Sequence, residues 1–254
     1  METIQTLSKE ANPRAISIRI EPRSPGRATG QRRHDLRLGQ QPGYVDATRK
    51  HLNDIVISPL PAPELRQVCM DRRSMRETKR ALKSNAAIAT CGIITLGIEA
   101  QIKFAALDHS VQIAAMTAVA DAIARRLKTT LTGLVIHRDE TAIHAHFQMP
   151  AVNFDGHPIT QANSLSDISR LQDLAADTIC RFEPSIERGN KKRDRLAAGA
   201  SSSEVTHRTV RELHWDLPIE FARKQKRVAE MEMRVSELEA KNERTEAENK
   251  RLQI

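Results

Sequence analysis

The sequence predicts an α/β fold of the α+β type, in which a mainly antiparallel sheet carries helices on one face and a coiled coil follows. Three patterns indicate its strands, its helices and its coiled coil. Apolar residues alternate from Ile16 to Ile20 and from Ile143 to Met149, as expected for half-buried strands. Residues 108–128 and 164–182 place apolar side chains near helical spacing. Residues 218–254 follow a heptad pattern.

The composition favours a polyanionic partner. The chain has 254 residues, enough to bury one core with a smaller appendage. It carries 40 Lys and Arg against 32 Asp and Glu, a net charge of +8. Aromatic residues make up only 3%, which disfavours a single-strand binder built on aromatic stacking. Contacts with a nucleic acid are therefore expected mainly from Arg, Lys, Asn and Gln.

The cysteines and the first residues of the chain indicate a cellular compartment. Cys69, Cys91 and Cys180 are odd in number and form no CxxC pair, which fits a reducing cytosol and gives no disulfide framework. The N-terminal residues lack the apolar core of a signal peptide, and no apolar run has the length of a membrane span. We therefore expect a soluble cytoplasmic protein.

The N-terminal part contains one predicted strand between two irregular segments. Residues 1–14 are polar, and we expect them to form a flexible leader. Residues 15–21 alternate and form the first predicted strand. Residues 22–33 are rich in Pro, Gly and Arg, a composition typical of loops, so we predict a mobile basic loop that contacts phosphates.

The middle of the chain supplies further elements. Residues 64–84 are basic and helix-like, and residues 86–97 are apolar and partly β-branched, as in a buried strand. Residues 108–128 form a predicted amphipathic helix. Residues 157–160 are expected to extend the sheet before a second amphipathic helix over residues 164–182.

A histidine-rich hairpin lies between the two amphipathic helices. In its second strand, His144 and His146 share the face opposite the apolar residues, because side chains alternate across a strand. Folding the hairpin about residues 139–141 puts His137 roughly opposite His144, with Glu140 in the turn. The sequence thus predicts three imidazoles and one carboxylate in one place.

These four side chains have the composition of a metal site. A lone histidine on a strand is usually a packed or surface residue, but four potential ligands within ten residues on one polar face favour metal binding. Three nitrogens and a carboxylate suit manganese, cobalt, nickel or zinc better than magnesium, which prefers oxygen ligands. Three protein nitrogens also leave coordination positions for water or a phosphate oxygen, so the predicted site is catalytic in type.

Three segments, in order, resemble the motifs of the Mob/Pre plasmid relaxases, a family within the HUH endonucleases that nick single-stranded DNA. The third motif is matched by residues 137–146, HRDETAIHAH. The first and second are matched by HDLR at residues 34–37 and by RKHLN at residues 49–53. The family usually has Asn where this chain has Asp35, and Pro where it has Ile143.

The resemblance implies an HUH relaxase-like domain over residues 15–189. By resemblance His34 is the nucleophile, and Tyr44 is the alternative because it is the only tyrosine and many HUH enzymes use one. Arg37 and Glu140 complete the expected catalytic set. The expected ligands of a divalent transition metal, with manganese as the expected ion, are His137, Glu140, His144 and His146.

Basic residues around the first two motifs are expected to contact DNA. The guanidinium groups of Arg37 and Arg49 can fork across two phosphate oxygens. Asp139 lies beside the expected ligands in sequence, and we expect it to orient a ligating imidazole. The predicted DNA-binding residues are Arg32, Arg33, Arg37, Arg49, Lys50 and Asn53.

The function that the resemblance implies is that of a plasmid mobilisation relaxase. Such an enzyme nicks one strand at an origin of transfer, stays linked to the 5′ end and rejoins the strand later. The implied partners are plasmid DNA and proteins of the transfer machinery. An HUH replication initiator or transposase has the same chemistry at another DNA site. A non-catalytic, metal-dependent DNA-binding dimer keeps the basic surface but forms no adduct, so the sequence leaves three functions open.

The C-terminal part predicts a homodimer. Residues 190–217 form a predicted flexible basic linker with a short helix, and Pro218 marks the boundary to a coiled coil over residues 218–254. Basic residues at position g face acidic residues at position e of a parallel partner. The a and d positions are occupied by Phe221, Val228, Met231, Val235, Leu238, Asn242, Thr245, Asn249 and Leu252.

Overall fold

The computed structural model describes residues 8–77, 81–206 and 210–252. The strands are β1 (Ala15–Arg23), β2 (Asp54–Ile57), β3 (Ala89–Leu96), β4 (Gly133–His137), β5 (His144–Pro150) and β6 (Glu187–Arg188). The helices are α1 (Pro25–Asp35), α2 (Ala62–Ser74), α3 (Ile98–Ala105), α4 (His109–Arg126), α5 (Ile159–Ala162), α6 (Leu165–Ile179), α7 (Lys192–Ala197), α8 (Ser202–Val205) and α9 (Val210–Leu252), with a 3-10 helix at Ala47–Leu52.

The strands form one sheet in the order β2-β4-β5-β3-β1-β6. Neighbouring strands pair antiparallel except β1 and β6, which pair in parallel. The predicted mainly antiparallel sheet is therefore confirmed. β5 pairs with β4 on one side and with β3 on the other, so its two histidines lie well inside the sheet.

One face of the sheet holds the main apolar core. Ile94, Ala145 and Phe147 are buried there together with apolar residues of α4 and α6. Gly92 of β3 lies opposite Phe147, and a Cβ atom at Gly92 would collide with the phenyl ring. The glycine therefore leaves room for this ring between the sheet and the helices.

The opposite face is covered at one end by α1 and α2. A second apolar cluster there contains Ala28, Leu65, Cys69, Ala89 and Cys91. Cys91 pairs with Gln148, which shares a strand face with His146. The cluster and the histidines consequently lie on the same face. α1 and α2 therefore cover part of the histidine face, in addition to the helices on the other face, whereas the sequence predicted helices on one face only.

Glutamine side chains attach neighbouring segments to this framework. Gln148 accepts a hydrogen bond from the amide of Leu60 at 2.9 Å and donates one to the carbonyl of Leu60 at 3.2 Å. Gln172 of α6 pairs with both backbone groups of Ile18 in the same way. In each case one side-chain amide satisfies a donor and an acceptor that would otherwise need a neighbouring strand.

Several predicted elements are confirmed within a few residues. β1 contains the first predicted strand, β3 lies within residues 86–97, and α4 lies within residues 108–128. α6 begins with a capping box, in which Ser164 accepts from the amide of Asp167 while the Asp167 carboxylate accepts from the amide of Ser164.

The prediction of a mobile loop over residues 22–33 is wrong, because α1 begins at Pro25. Proline suits the first helical turn, where its missing N–H would have no partner inside the helix. Gly26 and Gly30 are then ordinary helix residues, although both suggested a loop in the sequence. The helix matters because it carries His34 in its last turn.

Three other differences concern short segments. Residues 157–160 do not extend the sheet, because Pro158 makes only an isolated bridge to Val152 before α5 begins. The helix predicted over residues 64–84 ends at Ser74, since the chain must turn back there to reach β3. α3 was not predicted because its apolar start continues the pattern of the preceding strand.

Two compact units, Met1–Gly199 and Ala200–Ile254, make up the chain. The segment predicted as flexible linker contains α7 and α8. α9 runs through Pro218, so this proline does not end the helix, and the boundary to the coiled coil predicted there stays a prediction. The backbone hydrogen bond lost at a proline is one among the many that this long helix makes.

The C-terminal helix exposes an apolar stripe. Val228, Met231, Val235 and Leu238 are between 48% and 60% exposed. The coiled coil and its domain boundaries stay predictions. The side chains of three predicted a and d residues, Phe221, Asn249 and Leu252, lie outside the described part of the structure. Among the described helices, none has the length and apolarity needed to cross a membrane, and the cytoplasmic location stays a prediction.

Candidate metal and catalytic centre

The hairpin of β4 and β5 brings the predicted histidines together. His137 pairs directly with His144 in the antiparallel register, and His146 follows on the same strand face. The ring centroids of these three imidazoles lie 5.0–5.1 Å from one another. His34, in the last turn of α1, joins them at 5.2 Å from His146 and 5.3 Å from His137.

The cluster contains two overlapping sets of potential metal ligands. His137, Glu140 and His144 offer atoms that all lie within 4.8 Å of one another, and so do His34, His137 and His146. Imidazole nitrogens with one carboxylate are a donor set that suits a divalent transition metal. The residues present therefore fit such an ion, and all four predicted ligands belong to the cluster.

Hydrogen bonds outside the cluster orient two of the imidazoles. Nδ1 of His144 lies 2.9 Å from the carbonyl oxygen of Ala142, which leaves Nε2 as its ligating nitrogen. Nε2 of Gln31 donates to Nδ1 of His146 at 3.2 Å, which fixes the orientation of this ring. Partners of this kind fix the orientation of a ligating ring and are a common part of metal sites in proteins.

Arg37 lies inside the centre rather than at its surface, with only 4% of the residue exposed. Its φ of +52° is in the left-handed region, which turns the chain at the end of α1. Nε and Nη2 of Arg37 donate to the two carboxylate oxygens of Asp139 at 2.8 and 2.6 Å. Nη2 also lies 2.7 Å from Glu140 and 2.9 Å from Nδ1 of His137. The predicted phosphate contact of Arg37 stays a prediction.

Three imidazoles of the cluster, those of His34, His137 and His146, are held in the neutral form. Burial, and then the positive charge of Arg37, lower the pKa of His34 to about 4 and that of His137 to about 3. Burial also lowers the pKa of His146 well below its ordinary value. Neutral imidazole is the form that binds a metal or acts as a nucleophile, so these three rings are in that form at pH 7.

Asn53 links the second motif to the third. Its Oδ1 accepts a hydrogen bond from the amide of Arg138 at 2.7 Å, and its Nδ2 donates to Oδ2 of Asp139 at 2.7 Å. Burial raises the pKa of Asp139, but the hydrogen bonds from Arg37 and Asn53 outweigh this and lower it to about 2. Asp139 therefore holds Arg37 and Asn53. We had expected it to orient a ligating imidazole, but among the described residues its side chain makes no hydrogen bond to one.

Asp35 is a member of the centre that the sequence did not assign. Only 4% of it is exposed, and it accepts a hydrogen bond from Gln31 at 2.7 Å. Its carboxylate lies 3.7 Å from Nδ1 of His146, and its backbone carbonyl lies 3.1 Å from Nε2 of His137. Burial raises the pKa of Asp35 to about 7. Its place inside the first motif was the only sequence signal for this role.

Gln101 is a second residue that the sequence did not reveal. It accepts a hydrogen bond from the amide of Ile143 at 3.1 Å and donates one to the carbonyl of Ile143 at 2.6 Å. Ile143 stands directly before His144, at the end of the turn that carries Glu140. Gln101 of α3 therefore fixes this turn, and no motif in the sequence indicates the contact.

Tyr44 lies near the centre and is partly buried. Burial, and then the negative charge of Glu140, raise the pKa of its phenol, whereas the charge of Arg37 opposes this. The phenol is consequently protonated at neutral pH. Attack by Tyr44 would require removal of this proton, whereas His34 already presents a neutral imidazole.

The other predicted DNA-binding residues lie around the first two motifs. Arg32 donates to the carbonyl of Pro59 at 2.8 Å, and Lys50 donates to the carbonyl of Arg37 at 3.1 Å. Arg33 and Arg49 are exposed. Arg32, Lys50 and Asn53 thus have identified structural contacts, while the DNA contacts of the whole set stay predictions.

The chain has the architecture of solved relaxase domains. It matches the MobM relaxase domain (MOBV; Mob_Pre) bound to oriT DNA of plasmid pMV158 in Mn-bound crystal structures at pH 6.8 and pH 5.5, with TM-scores of 0.64 and 0.65 and 17% sequence identity. The matches cover 80% of this chain and 98% or 99% of the solved domains. The fold is that of the MobM relaxase domain.

Another solved structure of the MobM relaxase domain, bound to 26-nucleotide pMV158 oriT DNA, matches with a TM-score of 0.54 and 16% identity. This match covers 78% of the present chain and 99% of the solved domain. No protein-family model and no curated protein matches the sequence. The chain thus shares the MobM fold although their sequences are only 16–17% identical.

Proposed function

We propose that this protein is a plasmid mobilisation relaxase that nicks one DNA strand at an origin of transfer and remains covalently joined to it. The observation that carries the proposal is the neutral His34 imidazole beside the cluster of His137, His144, His146 and Glu140. The match to the MobM relaxase fold supports the same function.

The metal ligands in this proposal are His137, His144 and His146, with Glu140 as the carboxylate. Their donor set favours a divalent transition metal, and manganese is the proposed ion because the MobM neighbours are Mn-bound. Such an ion supplies Lewis-acid stabilisation of charge on a phosphate oxygen when it is bound. Asp139 and Arg37 hold Glu140 in place, since Arg37 donates to both carboxylates.

His34 is the proposed nucleophile. Its side chain is 22% exposed, so a phosphate group can approach a ring that is otherwise held within the protein. A ring nitrogen of His34 forms a bond to phosphorus, and the bond from phosphorus to the 3′ oxygen breaks. The leaving 3′ oxygen takes up a proton, and the other ring nitrogen gives up its proton. The product is a phosphoramidate on the 5′ end, and the reverse reaction rejoins the strand.

Arg37 has two roles in this proposal. Its charge disfavours protonation of His34, which keeps the nucleophile neutral. Its fork to Asp139 fixes the guanidinium at one place, from which the positive charge acts on a phosphate next to His34. Arg49, Arg33 and Arg32 extend the positive surface along the bound strand.

The proposed assembly is a homodimer on plasmid DNA. The exposed stripe of Val228, Met231, Val235 and Leu238 has the spacing of a two-stranded coiled coil. A parallel partner would bury this stripe and face basic g residues with acidic e residues. Proteins of the transfer machinery are the further partners in this proposal.

The test is formation of a covalent adduct. The protein is mixed with manganese and a labelled single strand that contains a candidate origin, and the products are run on a denaturing gel. We expect an adduct with wild-type protein and none with His144→Ala or after removal of metal by a chelator. His51→Ala removes an exposed histidine outside the cluster and serves as the control. Tight binding of DNA and metal without an adduct would identify a non-catalytic DNA-binding protein.

A further inference from the structure

A cavity of about 470 Å³ lies at the end of the sheet remote from the histidines. Its walls come from the end of α2, residues 81–87, α5 and the strand ends near Pro22, Thr90 and Ala151. β5 runs from His144 to Pro150, so roughly 20 Å separates its two ends at about 3.4 Å per residue. The cavity is therefore a separate place on the protein from the metal and catalytic centre.

The lining of this cavity is basic at its rim and apolar at its base. Arg73, Arg76 and Lys83 line it, and none of the described lining residues is acidic. The apolar part is formed by Ala86, Ala87, Ala151 and Val152. The Thr90 hydroxyl is buried in the wall and has no hydrogen-bond partner among the described residues. Charge, polarity and size together suit a small anionic ligand with a flat apolar part.

The walls are held by arginines that do not themselves form the rim. Arg66 donates to the carbonyls of Leu82 and Lys83 at 3.0 and 3.3 Å, which fixes the segment that carries Lys83. Arg72 donates to Thr129, Thr130 and the carbonyl of Val152, each at 2.7 Å. These two side chains are structural, whereas the neighbouring Arg73 and Arg76 line the cavity.

Gly156 gives Arg76 its place beside the cavity. The glycine has a φ of +79°, and a Cβ atom there would lie 2.7 Å from Cγ of Arg76 and 2.8 Å from the carbonyl oxygen of Arg72. A side chain at this position would therefore displace Arg76 or the end of α2. The turn around Gly156 and the end of α2 thus form one fitted surface.

We infer that this cavity binds one unpaired nucleotide of the DNA strand on which the histidine centre acts, several positions from the bond that is cut. This inference rests on the proposed function. The phosphate contacts Arg76 and Lys83 at the rim of the cavity, and none of the described lining residues there is acidic. The base packs on the apolar alanines and valine, in a protein that offers few aromatic side chains for stacking. The cavity volume lies in the range of pockets that hold small molecules.

The first part of the test measures affinity by fluorescence anisotropy with a labelled twenty-nucleotide single strand of mixed sequence. The test variant is Arg76→Ala/Lys83→Ala in the full chain. The matched control is Arg125→Ala/Arg170→Ala, which removes two exposed arginines from helices on the other face of the sheet. We expect the test variant to bind about fivefold more weakly or worse, and its logarithmic salt slope to fall by about 1 to 2, while the control changes neither.

The second part locates the base. A single strand of the same length carries a diazirine-bearing thymine, which cross-links to aliphatic side chains, at one position per probe, and the cross-linked peptides are identified by mass spectrometry. We expect one probe position to cross-link to the peptide that contains residues 82–87. Equal affinity of the test and control variants, or cross-links that avoid this peptide at every position, would overturn the inference while DNA binding by the wild type still stands. Failure of the wild type to bind the strand would instead contradict the proposed function and this inference with it.

Discussion

Arg37 and Asp139 form a bidentate ion pair in which neither side chain is more than 2% exposed. The pair joins the end of α1 to the turn between β4 and β5, with Nε–Oδ2 and Nη2–Oδ1 distances of 2.8 and 2.6 Å. Removal of one partner from a buried pair leaves an uncompensated charge. The same pair also brings the first motif of the sequence to the third.

Arg37→Lys tests this pair, because a lysine has one nitrogen and cannot bridge both oxygens of Asp139. We expect a loss of roughly 2–3 kcal/mol in the free energy of unfolding, measured by chemical denaturation, and little adduct formation. Arg33→Lys changes a neighbouring exposed arginine and should leave the stability unchanged. Equal stabilities of the two variants would show that the ion pair does not hold the centre together.

Gln101→Ala tests whether α3 positions the turn that carries Glu140. The variant frees the amide and carbonyl of Ile143, so Glu140 and His144 should lose their fixed separation. We expect manganese affinity, measured by titration calorimetry, to fall about tenfold while the protein stays folded. Gln67→Ala, which removes an exposed glutamine of α2, is the control. Unchanged affinity in Gln101→Ala would mean that the turn is held without this contact.

Asp35→Asn tests the cost of a buried carboxylate beside the histidines. The pKa of Asp35 is raised from 3.8 to about 7, so the stability contributed by its protonated form is complete below pH 3.8 and is lost as the pH rises through about 7. In metal-free protein the Asn variant should therefore be more stable than wild type at pH 8, by on the order of a few kcal/mol, and equal to it near pH 3.5. Denaturation at both pH values measures this. A variant that is less stable at pH 8 would show that the charged carboxylate is favourable there.

Val235→Glu tests the proposed dimer, because it places a charge at the centre of the apolar stripe of α9. We expect light scattering after size exclusion to show a dimer for the wild type and a monomer for the variant. Met233→Glu, on the outer position of the same heptad, should remain dimeric. A monomeric wild type at micromolar concentration would remove the coiled-coil proposal and leave the catalytic proposal intact.

The histidine cluster was predictable because strand periodicity decides its geometry. Alternation places His144 and His146 on one face, and a tight turn brings His137 opposite His144. Both depend on the hairpin alone and not on the fold of the other segments. Such short-range patterns predict the structure well because the positions of these side chains depend on neighbouring residues in the chain and not on distant contacts. The mainly antiparallel sheet was implied by the resemblance to the relaxases and by the order of the elements, not by periodicity alone.

The supporting contacts were not predictable, because they join residues far apart in sequence. The contacts between Asn53 and Asp139 and between Gln101 and Ile143 depend on how β2 and α3 pack, which no local pattern encodes. The error at α1 has a different cause. Pro25 and the following glycines are typical of loops, yet a proline also begins helices, and tertiary packing of Ala28 decided between the two.

The measurement that tests the central claim most directly is the identity of the amino acid that is joined to DNA. Wild type, His34→Ala and Tyr44→Phe are each incubated with manganese and a labelled single strand containing a candidate origin, and the adducts are treated with mild acid before gel analysis. The account predicts an acid-labile phosphoramidate adduct in the wild type and in Tyr44→Phe, and none in His34→Ala. An acid-stable adduct that persists in His34→Ala and disappears in Tyr44→Phe would contradict it and make Tyr44 the nucleophile.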